Sequence, residues 1–364
     1  MKQYLLLFSL LLAFASCSHE KREANKRFMT FDDVEYVTSF PKTIELSSPQ
    51  KVGVDILGLK GFSIQDSYLM IVAKGDGFFA ICSKDNDATL GRFLNVGNSE
   101  EEFLFPPIME TGFTFYHEGD SLLADVFDNQ KGRILTVDVQ KSIANKKLSL
   151  RSIKKGLSND VYTVFRLPDG KYFVKELSNG DTQQIRMIRD LKTGKNTTPT
   201  VLNRLNNASI KQNEDFNILS TITKMSKDGR IIEMPVGLNY LNVYKLDGSF
   251  AKTICVGDKL DDIDDIMDKN RWSRLYTFSD VRVFDNFFGV VQINEEEKLF
   301  QSKRTKLPSI LLFSLDGKPL AEIKMKRQIT SFDIDMQKGY LYTFDSESGE
   351  FLRYNFSKEL KAIK

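Results

Sequence analysis

Six times along this chain an apolar stretch, a short turn rich in Asp, Asn, Gly or Ser, and a second apolar stretch follow one another: GFSIQDSYLMIV (61–72), GDSLLADV (119–126), TVFRLPDGKYFVKEL (163–177), ITKMSKDGRIIEMPV (222–236), VRVFDNFFGVVQI (281–293) and SFDIDMQKGYLYTF (331–344). Each is the signature of a β-hairpin. After each hairpin comes a third strand and, in the first five units, a fourth. The third strands begin near 78, 134, 185, 241, 310 and 351, so the steps between them are 56, 51, 56, 69 and 41 residues. VYKLDGSF (243–250) and LLFSLDGKPL (311–320) are two copies of one outer hairpin, in which Asp and Gly supply the turn conformations.

Four antiparallel strands every fifty-odd residues, with uneven steps that mark loop insertions, predict an all-β fold: a single six-bladed β-propeller. A pair of β-sandwiches would also contain many short strands, but it explains neither the repeated four-strand unit nor a leftover first strand. The sixth unit stops after its third strand, and an open blade would expose an unpaired edge. YVTSFPKTIEL (36–46) precedes the first hairpin without a partner, so it is expected to complete the last blade and close the ring.

The N-terminus carries Lys2, an apolar run over 4–14, the small residues Ala15 and Ser16, and Cys17. This reads as a bacterial signal peptide (1–16) with a lipobox-like end, Cys17 being the residue whose thiol takes the lipid. The apolar run is too short for a comfortable membrane span. Residues 17–35 are expected to form the lipidated cysteine and a solvated tether, and 36–364 the propeller, so that the membrane is met through the lipid anchor only. Fifty-one Lys and Arg against 49 Asp and Glu leave a formal charge of +2, which argues against nucleic-acid binding. A monomeric body is expected.

The stretch ADVFDNQKGRILTVD (124–138) resembles the repeat of NHL propellers, with an Asp, an Asn and a basic residue leading into an apolar strand that ends in Asp. Together with the lipobox and the six units, GRFLNVGNSEEEFLFPP (91–107) resembles TolB-like six-bladed propeller lipoproteins of Bacteroidetes, through Gly97, Glu102, Phe103 and Pro106 or Pro107. The resemblance implies the fold and an outer-membrane, cell-envelope location. It implies no activity.

Ligands of propellers usually meet the face that gathers the loops from second to third strands and from one blade to the next. On that face the expected ligand-binding residues are Trp272, the single tryptophan, with Arg271 and Arg274; Asp128, Asn129, Lys131 and Arg133; Asn179 and Asp181; Asn239 and Tyr240; and Asp345 and Glu347. Tryptophan flanked by arginines suits a protein interface, and an indole face also stacks on sugars. The acidic loops 94–103 and 254–266 suggest a rim for a cation or a basic partner, or simply solvated turns. Asp261, Asp264, Asp265 and Asp268 lie at helical spacing. They lack the glycine and closing glutamate of an EF-hand, which leaves room only for a weak Ca²⁺ site. The loop 294–308 is the longest insertion of its class and reads as a lid or a flexible segment.

Two histidines build no zinc site: His19 falls in the tether and His117 in a hairpin turn on the opposite face. Cys82 and Cys255 fall in blades one and four, across the ring, and are expected to be unpaired and buried. The leading functional expectation is a non-catalytic envelope propeller that binds a protein or carbohydrate ligand through its loop face. The alternative is a lyase or hydrolase of glycans or peptides that uses channel carboxylates, with Ca²⁺ as its one conceivable cofactor. A third is a structural subunit of an outer-membrane assembly.

Overall fold

The computed structural model describes residues 27–363 except residue 179, so the signal segment, Cys17, His19 and Asn179 lie outside the described residues. Blade 1 comprises Leu59–Gln65, Tyr68–Ala73, Phe79–Ser83 and Thr89–Phe93; blade 2, Phe113–Glu118, Ser121–Asp128, Arg133–Asp138 and Leu150–Lys155. Blade 3 comprises Val161–Arg166, Tyr172–Ser178, Gln183–Arg189 and Asn196–Thr197; blade 4, Thr221–Met225, Arg230–Pro235, Tyr240–Lys245 and Ala251–Val256. Blade 5 comprises Leu275–Val283, Phe287–Glu296, Ser309–Ser314 and Pro319–Lys324. Ser331–Asp335, Tyr340–Phe344 and Phe351–Asn355 begin blade 6, and Gln50–Lys51 pairs antiparallel to its third strand. This is the six-bladed propeller expected from the hairpins.

Both copies of the Leu-Asp-Gly phrase fold alike. Gly248 N–H donates to the Lys245 carbonyl at 3.0 Å and Gly317 N–H to that of Ser314 at 2.9 Å. The two glycines hold φ of 77° and 92°, which a residue with a Cβ rarely adopts.

Ring closure differs from the expectation in its segment. An N-terminal strand does close blade 6, but it is the two-residue Gln50–Lys51 rather than residues 36–46. Val34–Val37 instead lies parallel to the outer strand of blade 4, and Thr43–Glu45 parallel to that of blade 5. The chain before the first hairpin is therefore a strap stitched to three consecutive blades, and it covers two outer edges besides closing the ring.

Residues 27–35, expected to be part of a solvated tether, are instead docked on the body. Met29 and Phe31 are buried between blades 3 and 4. Met29 N–H donates to the Tyr240 hydroxyl (3.2 Å), its carbonyl accepts from the Asn242 amide (2.9 Å), and Phe31 N–H donates to Thr253 Oγ1 (2.8 Å). Apolar burial with satisfied backbone groups outweighs the polar composition of this stretch.

Six apolar clusters fill the six interfaces between neighbouring blades, the sixth joining Phe62, Leu69 and Ile71 of blade 1 to Tyr342, Phe344 and Phe351 of blade 6. Cys82 and Cys255 are free and buried in separate clusters. At the inner edge, carboxylates couple one blade to the next: Asp280 accepts from Phe332 N–H (3.1 Å), and Asp333 from Ile64 N–H (2.8 Å) across the closing interface.

Between blades 3 and 4 an ionic network is fully buried. Arg186 grips the Glu233 carboxylate through Nε at 2.8 Å and Nη2 at 2.5 Å, and Tyr244 donates to the same carboxylate at 2.9 Å. Lys175 Nζ lies 3.9 Å from it and donates to the Thr221 carbonyl (2.8 Å), Thr221 Oγ1 (2.5 Å) and Thr223 Oγ1 (2.7 Å). Burial, opposed by Glu233 and reinforced by the like charge of Arg186, brings the Lys175 amine from 10.5 down to about 7. Between those values the unfolded chain holds a proton that the folded chain has lost, so stability should rise with pH through the window. Denaturant midpoints of the wild type against Lys175→Met test this: the gap should move in the wild type's favour as pH climbs from about 7 to 10. A gap that stays constant would refute it.

Candidate functional site

The innermost strands of the blades surround a channel, and the connection 94–112 dips into it as one helical turn, Met109–Gly112. Gly61, on the innermost strand of blade 1, makes room for this plug, since a Cβ there would stand 2.9 Å from that of Met109. The plug packs against the innermost strands of blades 1, 3 and 4. A cavity of about 720 Å³ lies beside it, lined by the plug and by the hairpin turns of the opposite face, with Asp66, Glu118, Lys227, Asp285 and Gln337 at its mouth.

The cavity floor is charged. Arg282 pairs with Asp280 at 2.9 Å and, more loosely, with Glu110 at 3.4 Å, while Lys224 donates to the Glu110 carbonyl at 2.7 Å. Burial, with the neighbouring Asp280 charge, raises the Glu110 carboxyl above its usual range; burial does the same to Asp333. Lys224 is brought down to about 8 by burial and then by Arg282. Asp333 is nevertheless committed to the fold, because one oxygen accepts from Ile64 N–H and the other from Ile334 N–H, each at 2.8 Å. His117 stands at the mouth, 2.9 Å from Asp66, on the face where the sequence puts it.

On the loop face, Asn270 caps a single 3₁₀ turn, Arg271–Ser273, that holds Trp272 about half exposed. The Arg271 guanidinium lies 5.7 Å from the indole centroid and pairs with Asp215 (3.2 Å) and Glu297 (3.6 Å). Those two carboxylates line a second cavity of about 550 Å³, together with Asn217, Arg274, Tyr276, Phe300, Gln301 and Glu347. Arg274 is buried: it donates to the carbonyls of Ile266 (3.0 Å) and Met267 (3.1 Å) and pairs with Glu214 (2.9 Å), so it holds the loop in shape.

Several other residues of the expected set serve the fold in the same way. Asp128 and Arg133 form a buried ion pair at 2.9 Å, and Asn129 donates to the Val161 carbonyl at 3.2 Å, joining blade 2 to blade 3. Arg133 also donates to the Glu102 carbonyl at 2.5 Å, and Lys131 to those of Ser99 (2.9 Å) and Glu102 (2.7 Å), so the loop 97–103 wraps basic side chains with its carbonyls. Asn239 and Asp261 exchange hydrogen bonds of 2.9 Å, and Tyr240 is fully buried against Met29. Asp345 pairs with Arg304 at 2.6 Å, and Glu295 accepts from Thr305 N–H at 2.7 Å. With the short helix Glu297–Ser302, these contacts pin the long insertion down.

Asp262, Asp264 and Asp268 are likewise engaged: Asp262 caps the helix Ile263–Met267, Asp264 pairs with Arg27 (3.6 Å) and Asp268 with Lys211 (3.3 Å). Among the described residues no three His, Cys, Asp or Glu converge to hold an ion.

Two features escape the sequence reading. The channel charges come from positions between 110 and 333 that no local motif joins; their one signal is a charged residue interrupting an apolar inner strand, as Lys224 does in TITKM. The second is a set of exposed apolar side chains. Of the seven large hydrophobics that stand exposed among the described residues, Leu57 (87%), Val96, Phe105 (71%), Ile108, Trp272 (48%) and Leu307 all lie in loop-face connections, and Tyr36 alone does not.

No family model matches this chain, and no curated protein matches it in sequence. Among solved structures it is similar to a Bacteroides fragilis NCTC 9343 protein described as exported, at 11% identity and TM-score 0.50, over 88% of this chain and 98% of that one. It also matches Raptor from Chaetomium thermophilum (11% identity, TM-score 0.47, 86% of this chain and 29% of that one) and BamB from Moraxella catarrhalis (11%, 0.36, 81% and 71%). At this identity such likenesses show the fold alone: the chain is a β-propeller.

Proposed function

We propose that this chain is an exported, lipid-anchored envelope propeller whose loop face docks a protein partner. The observation that carries the reading is the gathering of six exposed apolar side chains, Trp272 among them, on one face. Scattered surface hydrophobics need no explanation, whereas a one-sided set with an aromatic-arginine pair is the composition of an interface. The adjoining 550 Å³ cavity is the size of a pocket for an anchoring side chain.

The resemblance of the N-terminus and repeats to TolB-like lipoproteins, and the fold shared with a protein described as exported, support the envelope location. Arg27 adds an orientation: its carbonyl accepts from Ile263 N–H (3.0 Å) and its side chain reaches Ser209 and Asp264, all in loop-face connections. The nine residues between Cys17 and Arg27 span at most about 30 Å. An anchor at Cys17 therefore keeps the loop face near the bilayer, where the partner would be a membrane protein. Cleavage by paired channel carboxyls is the weaker reading, because Asp333 is occupied by backbone N–H groups.

Crosslinking in native membranes tests the reading. The wild type should retrieve one stoichiometric protein, and Trp272→Ala combined with Phe105→Ser and Ile108→Ser should weaken capture by roughly thirtyfold or more. Lys227→Ser, on the opposite face, should leave it intact. Equal capture by all three would sink the proposal.

A further inference from the structure

The cavity of the channel contains two opposite charges that the protein leaves incompletely matched. Lys224 donates one hydrogen bond, to the Glu110 carbonyl, and forms no ion pair among the described residues. Among the described residues the Glu110 carboxylate has a single partner, Arg282 at 3.4 Å, and that guanidinium is already committed to Asp280 (2.9 Å) and the Phe62 carbonyl (3.1 Å). Phe115, Phe165, Met225, Phe284 and Met336 supply apolar surface around these groups.

A purely cationic ligand would meet Lys224, and a purely anionic one would meet Glu110 with Asp280 and Asp333 behind it. A ligand that carries both charges satisfies both. Lys224 is held on the carbonyl of the very residue whose carboxylate is its neighbour, so the two charges stand a residue's breadth apart. That spacing favours an ammonium and a carboxylate borne close together over the same groups on a long spacer. A cavity of about 720 Å³ is within the usual range for small-molecule sites and has room for an amino acid or a short peptide.

We propose that the channel cavity binds a small zwitterion with an apolar side chain, an amino acid or short peptide, its ammonium on Glu110 and its carboxylate on Lys224. The site faces away from the loop face and is independent of the partner proposed there.

Calorimetry on the purified whole chain tests this with the apolar and aromatic L-amino acids, each against its N-acetyl and amide derivative, and with 6-aminohexanoic acid. At least one free amino acid should bind. Each blocked form, which removes one charge, should bind roughly tenfold more weakly or worse, as should 6-aminohexanoic acid. Lys224→Met should lose the amino acid, while Trp272→Ala keeps it. No binding by any free amino acid, or equal binding of free and blocked forms, overturns the proposal. Because the blocked series uses the wild type, a Lys224 variant that fails to fold leaves the test decisive.

Discussion

A chain that begins at Val52 should not form the propeller, whereas one that begins at Arg27 should. The difference is the strap. Its removal takes Met29 and Phe31 from the interface of blades 3 and 4, Val37 from that of blades 4 and 5, Ile44 and Leu46 from that of blades 5 and 6, and the closing strand from blade 6. At about 1.5–3 kcal/mol for each buried side chain the loss is on the order of 10 kcal/mol. That equals the whole stability of many domains. Thermal unfolding followed by circular dichroism is the check, and a cooperative transition at the wild-type temperature for the shorter chain would show that the ring closes without its strap.

Glu233→Ala should destabilise the protein by about 3–5 kcal/mol, measured as a shift of the urea transition. The substitution leaves the Arg186 guanidinium and the Lys175 amine in a fully buried space without the carboxylate that faces both. The partners hold the Glu233 carboxyl down to about 2 even though burial pushes it up, which places their attraction above its desolvation. Replacing all three by apolar residues (Lys175→Met, Arg186→Met, Glu233→Leu) should cost less than the single change, since no unmatched charge remains. A Glu233→Ala effect within about 1 kcal/mol would mean that water reaches the site and screens it.

The architecture is legible in the sequence because its information is local. Each hairpin announces itself by turn residues between alternating apolar stretches, and the third strands, expected near 78, 134, 185, 241, 310 and 351, begin at 79, 133, 183, 240, 309 and 351. The strap is less legible for a physical reason. Val34–Val37 and Thr43–Glu45 add in parallel to outer edges, yet carry the same short apolar signal as a closing strand. The actual closing strand, Gln50–Lys51, is two exposed polar residues and has no signal at all.

The candidate site divides along similar lines. Asn270, Arg271 and Trp272 are neighbours in sequence, and the exposure of the tryptophan follows from a capped turn. Asn129, Arg133, Asn239, Tyr240 and Arg274 have the residue types of a binding surface but find partners in distant segments: Val161 for Asn129, Glu102 for Arg133, Asp261 for Asn239, Met29 for Tyr240 and Glu214 for Arg274. Which polar residue is spent on the fold and which is left for a ligand is decided by those long-range pairings.

The path of the strap also has a mechanical consequence. From Arg27 at the loop face the chain descends between blades 3 and 4, reverses, and climbs the outside of blade 4 before it reaches blades 5 and 6. Tension applied through the residues before Arg27 pulls this descending segment along its own length. The bonds of Met29 and Phe31 to Tyr240, Asn242 and Thr253 are then loaded together in shear, as are the side chains lodged beside them. Two further strands lie between that load and the strand that shuts the ring. A membrane tether could thus drag on the body without working the seam of the propeller open.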